Sequence, residues 1–255
     1  MVAAASLAAA TIPVITAVVN SANYRAEIAS GSWATIVGTG LSNTTRAWKE
    51  SDFINGQLPP ELDFISVTVN GRPAFVGYIS PNQINFWVLD DLVLGASTVQ
   101  CAGQLLQSNF FIVNKVSYSP SLFPLTGKYA VAVHLDGTLA GPTGVLPGPA
   151  TTPSKPKETV QLLGTGFGPR NRVIATGALF NAGAPLAKSV TATVGGRVGA
   201  DRRVFGGTGV VSVQFDAAEC AGWRCVGDGD GGWVDDAGED VFGCGECRVG
   251  GPCRT

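Results

Sequence analysis

Hydrophobic and polar side chains alternate through residues 66–88, which read SVTVNGRPAFVGYISPNQINFWV. Successive side chains of a strand point to opposite faces, so this period of two predicts half-buried β-strands. Asn70-Gly71 is the dipeptide most compatible with the positive φ angles of a tight hairpin turn, and residues 75–79 are predicted to return from it. The predicted core face carries Val67, Val69, Ile84, Phe86 and Val88, whereas Gln83, Asn85 and Trp87 are predicted to face outward.

Short apolar runs separated by turn residues continue along most of the chain. Predicted strands include residues 31–40, 129–135 and 158–166, and residues 98–100 and 109–113 form a predicted closing pair. Residues 46–62 and the proline- and glycine-rich residues 141–157 are predicted loops. This pattern is typical of an all-β sandwich protein.

The chain also contains an internal repeat. Gly38-Thr39-Gly40 recurs as Gly164-Thr165-Gly166, 126 residues later, and Val69-Asn70-Gly71 is matched by Val194-Gly195-Gly196. Two anchors at nearly one offset predict two tandem Ig-like β-sandwiches, the second one incomplete. Their predicted bounds are residues 12–115 and 116–200, followed by an irregular tail over residues 201–255.

Composition excludes several classes of protein. The 255 residues carry a net charge of −2 and show no basic patch or RNA-binding aromatic motif, so nucleic acid is not an expected partner. No apolar run reaches the roughly 18–20 residues of a membrane span. Residues 1–11 are apolar and small; they suit the hydrophobic part of a secretory signal but lack its basic residues, so a linker or a misplaced start is the alternative.

Several segments together resemble the uncharacterised C-terminal domain family of Solibacter-type acidobacterial proteins. The resemblance spans residues 12–194 and rests on VVNSANY, GSWATIVGTGL, SDFINGQLP, SVTVNGRPA, YISPNQIN, GTLAGPT, ETVQLLGTGFGP and APLA. The family implies tandem Ig-like sandwiches at the end of secreted or cell-envelope proteins. It implies no catalytic residues.

The residues that most resemble catalytic or ligand motifs are weak candidates. Gly164, Gly166 and Gly168 lack the spacing and following helix of a phosphate-binding loop, so they predict a structural corner. His134, the only histidine, lies before an Asp-Gly turn and has no nucleophile motif nearby. We therefore expect no hydrolase or transferase activity, and His134 is interpreted as an ordinary strand residue.

The C-terminal cysteines and acidic residues invite a metal site. Cys244 and Cys247, with Cys220 and Cys225, approach the spacing of zinc ligands but lack strands or helices to hold them. Asp228, Asp230 and Glu239 imitate an EF-hand loop, yet the glycine that such a loop requires is absent. No metal and no cofactor are therefore predicted.

Residues after about Gly196 lose the strand pattern and gain charges, glycines and five of the six cysteines. Codons for residues 209–215, read one nucleotide later, permit the string GLYQFNL, which resembles the family's last strand and parallels QINF of the first repeat. The tail is therefore predicted to be a translated frameshift that is largely disordered and leaves an unpaired sheet edge. Resequencing the locus tests this prediction.

Function is predicted only at the level of class. The leading hypothesis is a non-catalytic extracellular or cell-envelope module that binds an unknown protein or polysaccharide, or acts as a spacer. The alternative is a carbohydrate-binding accessory module that uses Trp48 and Trp87, with Trp33, as a stacking platform. Aromatic residues of sandwiches are more often core or rim residues, which disfavours this alternative.

Overall fold

The computed structural model describes residues 12–91, 93–103, 106–126, 129–155, 158–170, 177–178, 185–188, 190–194, 197–199, 201–207, 210–216 and 248–249. Within these residues the fold is all-β, and its helical content is one 3-10 turn at Glu50–Asp52. We call residues 12–116 the N-terminal half and residues 117–216 the C-terminal half.

The N-terminal half consists of two sheets that face each other. Its strands are β1 (Val14–Asn20), β2 (Glu27–Ala29), β3 (Trp33–Thr39), β4 (Arg46–Ala47), β5 (Glu61–Leu62), β6 (Ile65–Val69), β7 (Arg72–Pro73), β8 (Phe75–Ile79), β9 (Gln83–Trp87), β10 (Gly95–Ala102) and β11 (Phe111–Val116). One sheet has the order β1-β3-β9-β8-β4, and the other has β2-β11-β10-β6-β5, with β7 paired to β6.

Apolar side chains from both sheets form one core between them. The predicted core residues Val67, Val69, Ile84, Phe86 and Val88 are all buried in it, at most 3% exposed. Burying a side chain of this size contributes roughly 1.5–3 kcal/mol. The predicted core face is therefore confirmed.

The predicted turn is confirmed, but the strand that follows it has a different partner. Asn70 and Gly71 have φ angles of 51° and 74°. The chain then pairs back on β6 only through β7 (Arg72–Pro73), and at buried Ala74 it crosses to the other sheet. As a result β8 pairs with β9, and the main partner of β6 is β10.

The C-terminal half is built on a sheet of the order β17-β16-β15-β18-β22-β21, with β12 also paired to β18. Its strands are β12 (Ser121–Leu122), β13 (Pro124–Thr126), β14 (Tyr129–Ala130), β15 (Ala132–His134), β16 (Leu139–Ala140), β17 (Thr151–Thr152), β18 (Thr159–Thr165), β19 (Val190–Val194), β20 (Arg197–Gly199), β21 (Asp201–Gly207) and β22 (Val210–Asp216). A separate short strand, β23 (Arg248–Val249), pairs with β19. A smaller core includes Val160, Leu162 and Phe167.

The predicted tail is partly a strand region. Strand β22 pairs with β18 over six residues, from Thr159–Asp216 to Gly164–Val211, and β21 continues the sheet. Residues 201–207 and 210–216 of the predicted tail are therefore strands of this sheet, with β21 at its edge. The predicted domain bounds and the predicted frameshift stay predictions. Residues 217–247 and 250–255, which include the five tail cysteines, lie outside the described residues.

The two predicted glycine corners share one geometry. A Cβ added at Gly38 would collide with the carbonyl oxygen of Val14 on the neighbouring β1, and one at Gly164 would lie 2.6 Å from that of Ser121 on β12. Gly40 and Gly166 both have positive φ angles, 63° and 80°. These close backbone approaches explain why glycine occupies both corners, as predicted from the repeat.

Candidate functional site

Aromatic rings gather around the β1-β3-β9-β8-β4 sheet. Trp33 and Trp48 make an edge-to-face contact with ring centroids 5.2 Å apart, and Phe53 lies 5.3 Å from Trp48. Phe75 and Trp87 form a second pair at 5.8 Å. In the strand register Trp33 lies opposite Trp87, and Trp87 lies opposite Phe75, so the two sets of rings occupy neighbouring strands.

A short segment of the C-terminal half lies against this aromatic group. The amide of Leu58 donates to the carbonyl of Gly177 at 2.7 Å, and Gln57 forms an isolated β-bridge with Ala178. A Cβ at Gly177 would collide with the ring of Phe75. Segment 177–178 therefore reaches the rings so closely that only glycine fits there.

This arrangement corrects the prediction for Trp87. Its side chain lies on the outer face of the sheet, but it is 5% exposed rather than solvent-facing, and its indole N–H has no hydrogen-bond partner among the described residues. Trp48 is half-buried and packs against the core cluster. Trp48 and Trp87 do not form a flat platform for a sugar ring, because Trp87 lacks an exposed ring face.

The other candidate site surrounds His134 at the end of β15. The Nδ1 atom of its imidazole lies 2.6 Å from Oε1 of Glu158. The Nε2 atom lies 3.1 Å from the carbonyl oxygen of Thr152 and 3.0 Å from its hydroxyl Oγ1. His134 is 7% exposed, so the interpretation of an ordinary strand residue misses a buried polar cluster that joins three segments of the chain.

Glu158 is positioned by a turn just before β18. Its backbone amide donates to the carbonyl of Lys155, and its Oε2 accepts a hydrogen bond of 2.7 Å from the backbone amide of Lys155. That amide hydrogen bond, assisted by His134, holds the pKa of the Glu158 carboxyl below its usual range. Glu158 is consequently a carboxylate that faces the imidazole.

An open pocket of about 500 Å³ lies beside this cluster, with His134, Leu135, Asp136, Thr152, Lys155 and Glu158 among its lining residues. The Asp136 carboxylate accepts hydrogen bonds from the hydroxyl and amide of Thr138, which lower its pKa. The turn that contains Asp136 and Gly137 is the one predicted from the sequence, with Gly137 at a φ of 86°.

A hydroxyl, an imidazole and a carboxylate in this order resemble the parts of a nucleophile–base–carboxylate array. The carbonyl oxygen of Thr152, however, competes with its hydroxyl for the same Nε2 atom. A carbonyl oxygen only accepts hydrogen bonds, so Nε2 must carry a proton in order to bond to it. A protonated Nε2 has no lone pair with which to act as a general base. The expectation of no hydrolase activity stays a prediction. The sequence analysis did not identify Thr152 as a partner of His134.

A buried ion pair lies within the N-terminal half. Nζ of Lys115, whose side chain is 1% exposed, contacts Oδ1 of Asp91 at 2.5 Å and the carbonyl of Leu89 at 3.1 Å. The other oxygen of Asp91 accepts from Arg72, which is more exposed. Buried and exposed side chains alternate along β11, and Lys115 lies on the same inward face as Val113. A lysine at an inward position was the sequence signal for this buried ion pair.

A surface ion network fixes the loop over residues 46–62. Arg46 pairs with Asp52 at 2.7 Å and with Asp63 at 2.8 Å. The Arg46 guanidinium lowers the pKa of Asp52, and the hydroxyl of Thr44 together with Arg46 lowers that of Asp63. The pairs hold the 3-10 turn against β4 and make no obvious ligand site.

The described residues offer no cluster of three or more metal-ligating side chains. Burial raises the pKa of the Cys101 thiol, which makes this cysteine a poor nucleophile. Within the same part of the chain, no helix has the length and apolar character needed to cross a bilayer. The zinc and EF-hand patterns at residues 220–247 lie outside the described residues.

No family model matches this chain, and no curated protein is significantly similar to it. The resemblance to the acidobacterial C-terminal domain family therefore stays a prediction that rests on the sequence motifs alone.

Proposed function

We propose that this chain is a non-catalytic spacer and interaction module of an extracellular or cell-envelope protein, made of two tandem Ig-like units joined rigidly. The observation that carries the proposal is the junction between the halves. The amide of buried Trp33 donates to Oγ1 of Thr165 at 2.8 Å, which links β3 directly to β18.

A second set of hydrogen bonds supports the rigid junction. The side-chain amide of Asn20 donates to the carbonyl of Ser119 at 2.9 Å, and the hydroxyl of Ser119 donates to Glu27 at 2.8 Å. The amide of Ser119 in turn donates to the carbonyl of Gly166. Asn20 is fully buried, so breaking this contact leaves a desolvated amide without a partner.

The junction buries groups that an independent pair of domains would leave in water. Ring surface of Phe75 is covered by segment 177–178, and the backbone of Leu58 is satisfied by Gly177. A spacer benefits from such contacts, because they fix the distance and angle between its two ends. Trp87 packs against the ring of Phe75 and is 5% exposed, so the carbohydrate-binding alternative now depends on Trp48.

Small-angle X-ray scattering on the full chain tests the proposal. We expect a single rigid particle, and we expect Gly177→Val to enlarge its radius of gyration because the new side chain meets the ring of Phe75. Gly144→Val is the matched control. Gly144 has a φ of 75°, close to the 76° of Gly177, but no atom lies within 4 Å of a Cβ added at Gly144. Equal effects of the two variants would contradict the rigid junction.

Binding and turnover assays separate the alternatives. A polysaccharide pull-down that captures the wild-type chain but not Trp48→Ala would favour the carbohydrate-binding module. Turnover of an ester or glycoside that is abolished by His134→Ala would overturn the non-catalytic assignment.

A further inference from the structure

His134 connects three chain segments that are separated in sequence. The imidazole belongs to β15, Thr152 to β17 at the end of the proline- and glycine-rich loop, and Glu158 to the turn before β18. We call these three residues the His134 latch. His134 is the only histidine of the 255 residues, so any signal from an imidazole belongs to this residue.

The latch geometry presents hydrogen-bond acceptors to both ring nitrogens. Nδ1 faces the Glu158 carboxylate, and Nε2 faces the carbonyl of Thr152, and both of these oxygens only accept. Only the imidazolium, which carries a proton on each nitrogen, donates to both at once. That Thr152 carbonyl also accepts from the backbone amide of Gly141 at 2.9 Å, so the ring holds the same carbonyl that pairs β17 with β16.

The neutral ring keeps only part of this arrangement. With its single proton on Nδ1 it still donates to Glu158, but its Nε2 lone pair then faces the Thr152 carbonyl oxygen. The ring must instead accept from the hydroxyl of Thr152, which lies 3.0 Å away and can rotate. The backbone of β17 thereby loses a charge-assisted hydrogen bond and keeps a weaker side-chain contact.

We propose that the His134 latch is a pH-sensitive clamp, which fastens β17 and the turn at residues 155–158 to the sheet when the imidazole is protonated and loosens them when the proton is lost. The clamp acts within the C-terminal half and does not depend on the proposed spacer function. Histidine is the side chain that changes charge most readily between pH 5 and 8.

The charged groups around the ring come from three places. Asp136 lies on the turn after β15, and Glu158 faces the ring from the turn before β18. Lys155 lines the same pocket. In the strand register, Thr159 beside Glu158 lies opposite Asp216 of β22.

Two-dimensional NMR on the full chain tests the clamp directly. The single imidazole gives one titration curve, against which amide exchange is compared after correction for the intrinsic pH dependence of exchange. The reporter amides are Gly141, which donates to Thr152, and Lys155, which donates to Glu158. The amide of Gly137, which donates to the carbonyl of His134, is the internal control for the strand.

We expect the protection factors of Gly141 and Lys155 to fall about fivefold as the ring loses its proton, since a charge-assisted hydrogen bond is about twice as strong as a neutral one. Gly137 should not follow. His134→Gln should abolish the pH dependence, and Thr152→Val should enlarge it, because the neutral ring then has no hydroxyl to accept from.

Flat protection factors across the wild-type titration would overturn the proposal, as would a pH dependence that persists unchanged in His134→Gln. If His134→Gln does not fold, the comparison of Thr152→Val with the wild type decides, because this variant retains the histidine and nearly the same side-chain volume. A smaller pH effect in Thr152→Val than in the wild type would also overturn the clamp.

Discussion

Asn20 and His134 occupy equivalent places in the two halves. Asn20 ends β1 opposite Ala34 of β3, and His134 ends β15 opposite Val160 of β18. Ala34 and Val160 are separated by 126 residues, the same offset as the glycine corners. Both side chains are buried and both bond across segments, yet one is an amide and the other is an imidazole.

The difference shows how one strand position serves two purposes. Asn20 accepts from the amide of Ala22 and donates to Ser119, so it closes a local turn and the junction between the halves without any dependence on pH. His134 joins β15, β17 and the turn before β18 through an imidazole and a carboxylate, which are groups that can bind or release a proton. The comparison therefore predicts that the contacts of Asn20 do not depend on pH, whereas the contacts of His134 do.

Introducing a charge into the larger core should have the greatest effect. Ile84→Asp should abolish cooperative unfolding of the N-terminal half, because Ile84 is 0% exposed and an unpaired buried carboxylate costs several kcal/mol. Ile112→Asp, at a residue of the same half that is 69% exposed, is the control and should melt like the wild type. Near-UV circular dichroism checks both, and a wild-type melting curve for Ile84→Asp would contradict the face assignment.

The buried ion pair should be the next largest contribution. Asp91→Ala leaves the ammonium of Lys115 buried without its carboxylate and should destabilise the N-terminal half by about 3–5 kcal/mol. Arg72→Ala removes the exposed partner of the same carboxylate and should cost at most about 1 kcal/mol. Urea unfolding of the two variants measures both values, and equal losses would mean that Lys115 finds another acceptor.

The features that the sequence could predict depend on residues that are close together along the chain. The alternation of residues 66–69 and 83–88 depends on the strand period alone, so the core residues and the Asn70-Gly71 turn were predictable. The burial of Trp87 was not, because alternation places its side chain on the outer face of the sheet and does not show what packs there. The His134 latch was also hidden, since Thr152 and Glu158 reach the ring across 18 and 24 residues of loop and strand.

The glycine corners offer a direct comparison of the two halves. Gly38→Ala and Gly164→Ala should each destabilise their own half by about 1–3 kcal/mol, through overpacking against a neighbouring strand. The loss should be greater for Gly38, because its added Cβ approaches the backbone oxygen of Val14 more closely than the 2.6 Å found between Gly164 and Ser121. Gly103→Ala, whose Cβ would lie 3.5 Å from Ile65, is the control, and thermal unfolding ranks all three.

Titration of Glu158 should give the smallest effect and the sharpest distinction between the halves. Its folded pKa is lowered, chiefly by the amide of Lys155, so the stability it contributes is present above its unfolded pKa, near 4.5, and is lost as the pH falls through the folded value. Glu158→Gln should remove this acid-sensitive contribution and change the Tm at pH 6 by at most about 2–4 °C. The acid sensitivity of the N-terminal half should persist in this variant, because it comes from Asp52 and Asp63. Differential scanning calorimetry between pH 6 and 3 checks this expectation, and an unchanged acid dependence of the C-terminal half would contradict it.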